Sequence, residues 1–417
     1  MKRIYCSLIL VPSLGFFLSA VALNAANDWP QWRGPDRTDV SKESGLLKQW
    51  PAQGPKQLWV FKNAGNGYSG PAIVGGKLFT MGTRDGAEIL LALDADTGKE
   101  LWTAKLGSIL NNGWGDGPRG TPSVDGDRVY ALSGQGNLIC ASADGGKVLW
   151  QHTMKEFGGE TPGWGYTESV LVDGDKLVCT PGGAKGAVIA LNKKTGDLLW
   201  QSKEFTDGAQ YASLIPADHD GVRQYIQLTM KHVAGISAAD GKLLWSADFP
   251  GSTAVIPTPI FHDDSVYVTA GYGAGSKLVK IGPQNNASEV YFNKVMKNHH
   301  GGVILLDGHL YGYSDGPGWI CQDFKSGKEV WAEKKALGKG AIAYADGMFY
   351  CLTEDGGTVA LIEASSKGWQ EHGRFKLEPQ SAKRSRSGRI WTHPVIAGGR
   401  LYLRDQELLS CYDVKGQ

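Results

Sequence analysis

One phrase recurs along this chain: TGKELW (Thr97 to Trp102), GGKVLW (Gly145 to Trp150), TGDLLW (Thr195 to Trp200), DGKLLW (Asp240 to Trp245) and SGKEVW (Ser326 to Trp331). A period of about 40 to 50 residues belongs to a propeller blade or a solenoid repeat. Two weaker copies end near Tyr291 and Trp369, and an eighth aromatic, Trp59 in PKQLWVFK, has no repeat before it. Conversely, the chain from Thr392 to Gln417 reads as a repeat that stops before its last strand. Joining the two pieces closes a ring and removes the exposed sheet edge. The expectation is an all-β, eight-bladed propeller of four-stranded antiparallel blades, with the N-terminal strand around Trp59 completing the C-terminal blade.

Each copy has the same internal order. Short apolar runs such as Arg128-Val-Tyr-Ala and Ser265-Val-Tyr-Val are bounded by Gly/Asp turns, which marks strands, and no window sustains a helical period. Pro71, Pro122, Pro259 and Pro394 fall where the inner strand should begin, an edge where a missing N–H costs little. The 58 Gly, 14 Trp and 15 Tyr suit many short strands joined by tight turns.

Lys2 and Arg3, an apolar stretch from Ile4 to about Leu23 and then small residues have the order of a secretory signal. Residues 1–26 are read as that signal and residues 27–417 as one propeller domain. Export to the periplasm or the extracellular space follows, with no transmembrane segment and no lipobox. Without the signal, 43 basic against 42 acidic residues becomes 41 against 42, a net charge of −1. That balance excludes general nucleic-acid binding, which needs a strongly basic surface. A monomer is expected.

Ala92, Gly98 and Trp102 stand at positions one, seven and eleven of their repeat, and Cys140/Gly146/Trp150, Ala190/Gly196/Trp200, Gly235/Gly241/Trp245 and Cys321/Gly327/Trp331 repeat the spacing. This resembles the tryptophan-docking motif of the pyrroloquinoline-quinone (PQQ) propeller family, in which these positions lock adjacent blades. The opening Trp29-Pro-Gln-Trp-Arg-Gly-Pro, followed by GNGYSGP, is similar to an exported bacterial subgroup of that family. In size the chain resembles the outer-membrane-protein assembly propellers. The resemblance implies a fold and a possible PQQ and Ca²⁺ cofactor pair, since a fold does not fix a function.

Five cysteines follow the signal. Small buried side chains are the simpler reading; the alternative pairs Cys140 with Cys179 and Cys321 with Cys351 as inter-blade disulfides. No C-x-x-C-H haem motif occurs. Asp94 and Asp96 in LDADTG form a recurring turn rather than a calcium loop.

The short turns are uniform from copy to copy, whereas the loops entering each inner strand and those joining the second and third strands vary, so function is expected on the variable face. Tyr68, Trp114, Arg119, Trp164, Tyr166, Tyr211, Lys339, Trp391 and His393 are the candidate ligand-binding residues of the entering loops. Their aromatic faces would stack a planar quinone or a sugar, and Arg119 and Lys339 would hold carboxylates. Asp116, Glu168, His299 and His300 are the candidate acids and bases. His299 and His300 are adjacent, so on an extended strand they would point to opposite faces; no metal is assigned to them. The basic run Lys383, Arg384, Arg386 and Arg389 reads as a solvated loop or an anion-binding flap.

Three functions compete. The first is a scaffold or binding module of the cell envelope, taking an envelope protein, a small molecule or a glycan. The second is a PQQ- and Ca²⁺-dependent alcohol or sugar dehydrogenase, against which stand the missing Cys-Cys pair and the short chain. The third is a glycan hydrolase or lyase.

Overall fold

The computed structural model describes residues 28–416, and the expected export signal, residues 1–26, lies outside them. Eight antiparallel sheets follow one another along the chain, within residues 72–108, 123–153, 171–201, 215–248, 260–293, 303–333, 340–376 and 395–413; they are called blades 1 to 8. Blade 8 takes its fourth strand from the N-terminal side: Lys56–Phe61 pairs antiparallel with Leu408–Asp413, placing Trp59 opposite Cys411. The expected prolines each sit one residue before an inner strand, at Ala72, Ser123, Ile260 and Val395.

The core lies between blades. Phe79, Met81, Leu90 and Ala92 of blade 1 pack on Val129, Ala131, Ile139 and Ala141 of blade 2, and similar clusters fill the other gaps. A middle strand is therefore covered on both faces, which is why strands such as Lys77–Arg84 carry apolar runs instead of alternating. The docking motif works by contact. A Cβ on Gly146 would come within 2.4 Å of the Trp102 ring, so the preceding blade's indole lies flat on this glycine. The Trp102 indole N–H donates to the Ala143 carbonyl at 3.1 Å. Trp59 on Gly98, Trp150 on Gly196 and Trp200 on Gly241 repeat the contact. Blade 7 departs from expectation. Opposite Ala360 stands Arg374 rather than Trp369, which precedes the fourth strand and packs on Trp319. All five described cysteines are buried free thiols, so the alternative disulfide pairs are not formed.

Residues 29–41 run into the central channel and plug it. Trp29 pairs with Ile73 of blade 1, and the Pro30 carbonyl accepts from Val124 N–H of blade 2. Arg37 donates to the Ser169, Val170 and Leu214 carbonyls at the inner edges of blades 3 and 4. Arg33 donates to Val303 O of blade 6 at 2.6 Å and pairs with Asp39 at 2.7 Å, both side chains being buried. Val40–Ser41 then adds a parallel fifth strand to Gly340–Ala345 of blade 7. One short segment thus satisfies inner-edge backbone groups that would otherwise line an open channel.

Candidate functional site

Above this plug the variable loops enclose a half-open pocket of about 160 Å³. Its floor includes Trp32, whose ring lies 4.6 Å from His393 and whose indole N–H donates to Thr258. One wall is Tyr68 beside Trp391, with ring centroids 5.0 Å apart, and Trp114 beside Trp391 at 6.4 Å. The opposite wall is Trp164 edge-on to Tyr211 at 5.7 Å. The loops are pinned by tyrosines: Tyr68 donates its hydroxyl proton to Trp114 O at 2.6 Å, and the Trp164 N–H donates to the Tyr211 hydroxyl. Trp114 remains 48% exposed and forms the rim.

Arg119 is the pocket's cation. Its guanidinium lies 5.1 Å over the Tyr68 ring and is held by the Trp164 and Gly115 carbonyls at 2.5 and 2.8 Å. Among the described residues no carboxylate lies within ion-pair distance of it. Burial lowers its pKa, and carbonyl dipoles and an aromatic face hold the cation while Glu88 and Asp116 act on it from beyond ion-pair distance.

The third wall holds His299 and His300. They occupy the loop between blades 5 and 6 and not an extended strand, so the expected divergence fails: their Nδ1 atoms lie 3.5 Å apart. Glu354, from the turn after Met348–Thr353, brings Oε2 to 3.5 Å from His300 Nδ1 and accepts from the Trp391 indole N–H at 2.9 Å. Burial, reinforced by Lys339, lowers the His299 pKa to about 4, and burial drives that of His300 well down. Burial raises the Glu354 carboxyl. His393 joins this wall to the plug, with Nδ1 3.1 Å from Asp39 Oδ2 and Nε2 2.8 Å from His300 O.

Tyr68, Trp114, Arg119, Trp164, Tyr211, His299, His300, Trp391 and His393 line the pocket. Four expected site residues do not. Glu168 is only 2% exposed and turns away between Thr167 and Ser169, which do line it; its carboxylate accepts from the Thr180 N–H and hydroxyl. Burial pushes that carboxyl up to about 7, a value suited to a general base, yet its side chain is not part of the pocket lining. Tyr166 is buried and donates to Pro181 O and Glu160 O. Asp116 caps its own loop by accepting from Asn112 N–H. Lys339 is paired with Asp315 at 2.8 Å. In the basic run, Arg384 and Arg389 pair with Asp405 and Asp355, so this stretch is tied down.

Sequence reasoning missed Trp32, Tyr272 and Glu354. Trp32 lies inside the WPQWRGP motif, and Tyr272 and Glu354 lie between second and third strands, where loop variability was itself a signal. Tyr272 adopts a left-handed φ of 54°, which sets its ring edge-on to His299 at 4.8 Å.

A ring of eight four-stranded blades with aromatic docking residues, plugged and pocketed on one face, defines a PQQ-like β-propeller. The chain belongs to the family described as outer membrane protein assembly factor BamB, whose model matches residues 86–333. It is similar to a tetrathionate hydrolase of Acidithiobacillus ferrooxidans, 23% identical over 52% of this chain and 44% of that protein. It is also similar to an outer membrane protein assembly factor BamB of Yersinia pestis, 24% identical over 56% of this chain and 61% of that one. The matches thus span about half the length of these curated relatives. The crystal structure of BamB from Moraxella catarrhalis superimposes with a TM-score of 0.62 at 15% identity, over 87% of this chain and 98% of that one. Among the described residues no helix is long and apolar enough to cross a membrane.

Proposed function

We propose that this propeller is an exported binding module of the cell envelope whose plugged mouth takes a small ring compound carrying an anionic group. The observation that carries this reading is Arg119, a guanidinium without a carboxylate partner, set among aromatic rings in a pocket closed below by residues 29–41. Tyr68, Trp114, Trp164, Tyr211 and Trp391 offer ring faces for stacking, and the bidentate fork of Arg119 suits a carboxylate, sulfate or phosphate. Among the described residues that line the pocket none is a carboxylate, the group a glycan hydrolase uses in pairs, and the hydrolytic alternative is not the reading adopted.

The Ca²⁺ that the family resemblance raises does not fit. Calcium prefers six to eight oxygen ligands, whereas the ligand cluster beside the pocket is two imidazoles and one carboxylate. PQQ-dependent dehydrogenation is therefore not the reading adopted.

The test is quenching of tryptophan fluorescence in the purified protein by a panel of planar aromatic carboxylates, PQQ without calcium, and glucuronate. Saturable quenching that is weakened at least tenfold in Arg119→Met, a loss of about 1.4 kcal/mol, supports the reading. No saturable ligand, or equal affinity in Arg119→Met, defeats it.

A further inference from the structure

We propose that His299, His300 and Glu354 form a mononuclear site for a divalent transition metal of the zinc class, with one coordination position left toward the pocket. Two bonds of about 2.1 Å at a tetrahedral angle hold their ligand atoms about 3.4 Å apart. His300 Nδ1 stands 3.5 Å from both His299 Nδ1 and Glu354 Oε2, and one ligand atom from each residue lies within 4.8 Å of the others. Two of the three edges thus match a tetrahedral face, and the third, between His299 and Glu354, lies within 4.8 Å and would shorten on binding.

Three further observations support this assignment. First, His300 is 8% exposed, and its ring nitrogens have no partner closer than the two 3.5 Å contacts within the cluster. Its buried Nε2 has no hydrogen bond. At Nδ1 a metal would replace two long contacts by one strong bond, while Nε2, on the far side of the ring, stays without a partner in either state. Second, the ligands are braced from behind. The Trp391 indole N–H fixes the Glu354 carboxylate at 2.9 Å, and His393 bonds to the His300 backbone at 2.8 Å while also facing Asp39 of the plug. Such outer partners orient metal ligands. Third, the cations whose charge reaches the cluster are themselves paired, Lys339 with Asp315 and Arg389 with Asp355, so among the described residues no unpaired cation opposes a metal there.

Nitrogen-rich ligation selects zinc, cobalt or nickel over calcium or magnesium. Three protein ligands with a fourth position open are the arrangement in which zinc binds a water or an anionic ligand. His299 and His300 line the same pocket as Arg119, so the fourth position faces the space in which the proposed anionic compound would lie. The metal assignment itself does not depend on that compound.

The test is calorimetric titration of the chelator-stripped, purified protein with Zn²⁺, accompanied by absorption spectroscopy after Co²⁺ loading. Binding of one ion per chain is expected, with the intense visible bands of four-coordinate cobalt. Affinity should fall by at least about a hundredfold in Glu354→Gln and His300→Ala, and by about tenfold in Trp391→Phe, which removes the N–H brace on the carboxylate while keeping an aromatic ring in the wall. Melting curves establish that each variant is folded, and the conservative Glu354→Gln substitution keeps the test valid if His300→Ala is not. Absence of stoichiometric zinc binding would overturn the proposal, as would zinc binding unchanged in Glu354→Gln. Failure of the organic-ligand titration would leave it standing, because the metal readouts use no organic ligand.

Discussion

Replacing Arg37 by Met tests whether the plug is fastened by hydrogen bonds or merely fills space. The guanidinium donates to the Leu214, Ser169 and Val170 carbonyls at 2.8, 2.9 and 2.5 Å and to Gln31 Oε1 at 3.0 Å, and no carboxylate lies within ion-pair distance of it among the described residues. Methionine fills much of the same volume but strands three buried carbonyls, each costing about 1–3 kcal/mol. Against this, the variant no longer buries a charge, which relieves several kcal/mol. The net expected loss is about 3 kcal/mol. With an unfolding entropy of about 2.1 cal/mol/K per residue over roughly 390 residues, this lowers Tm by about 4 °C. Calorimetry reads that shift. Trypsin reads the local effect, because the bond after Arg33, buried in wild type, should become cleavable below the melting transition. Arg37→Lys should fall between the two, since an ammonium cannot fork to carbonyls of two blades. If Arg37→Met melts within about 1 °C of wild type and Arg33 stays protected, the hydrogen bonds only balance the desolvation of the charge. The plug would then be held by Trp29 and Arg33.

Arg404 makes an equivalent junction where the ring closes, donating to Gln406 O, Ser69 O, Thr80 Oγ1, Met81 O and Gly65 O, so Arg404→Met should cost a similar ~3 kcal/mol in chemical denaturation. Gly146→Ala should cost about 2–4 kcal/mol, because φ is +69° and the new methyl would meet the Trp102 ring, whereas Gly145→Ala, with nothing within 4 Å, should be close to neutral. Glu168 supplies a pH signature, with Arg37, Tyr166 and Cys179 as its charged or titratable neighbours. The folded carboxyl keeps its proton up to about 7 while the unfolded one loses it near 4.5, so wild-type stability falls as pH rises between those values. Relative to wild type, Glu168→Gln should therefore gain up to about 3 kcal/mol between pH 4 and pH 8; denaturation midpoints that shift in parallel over that range would contradict the assignment.

The parts of the fold that were legible in the sequence are those written several times over. Trp102 on Gly146 and Trp150 on Gly196 obey one spacing rule, and the prolines before inner strands obey another, so each copy corroborates the rest. Departures occur where a copy is unique. Trp369 holds roughly the right place in the period, but Arg374 takes the position opposite Ala360. Arg33, Arg37 and Arg404 are buried, against the strong tendency of arginine to be exposed, and no repeat marks them. The candidate site was legible in its loops and not in its directions. Thr167 and Ser169 face the pocket while Glu168 between them does not, an outcome set by the local path of the chain. The same cause brings His299 and His300 together, for the loop between blades 5 and 6 bends where an extended strand would have separated them.

The plug and the pocket are one construction. A propeller channel left open would give the mouth no floor, and its inner-edge carbonyls would remain hydrated. Arg33 and Arg37 bind those carbonyls, and between them and the mouth lies Trp32, so the residues that seal the channel also present an aromatic ring to the pocket. Asp39 extends the coupling: its Oδ2 receives Arg33 at 2.7 Å and faces His393 at 3.1 Å, and His393 in turn holds the His300 backbone. Any substitution that loosens residues 29–41 must therefore displace the floor and the histidine wall together. A loss of affinity at the mouth on disrupting Arg37, which reaches the pocket lining only through the Ser169 carbonyl, is what this arrangement requires.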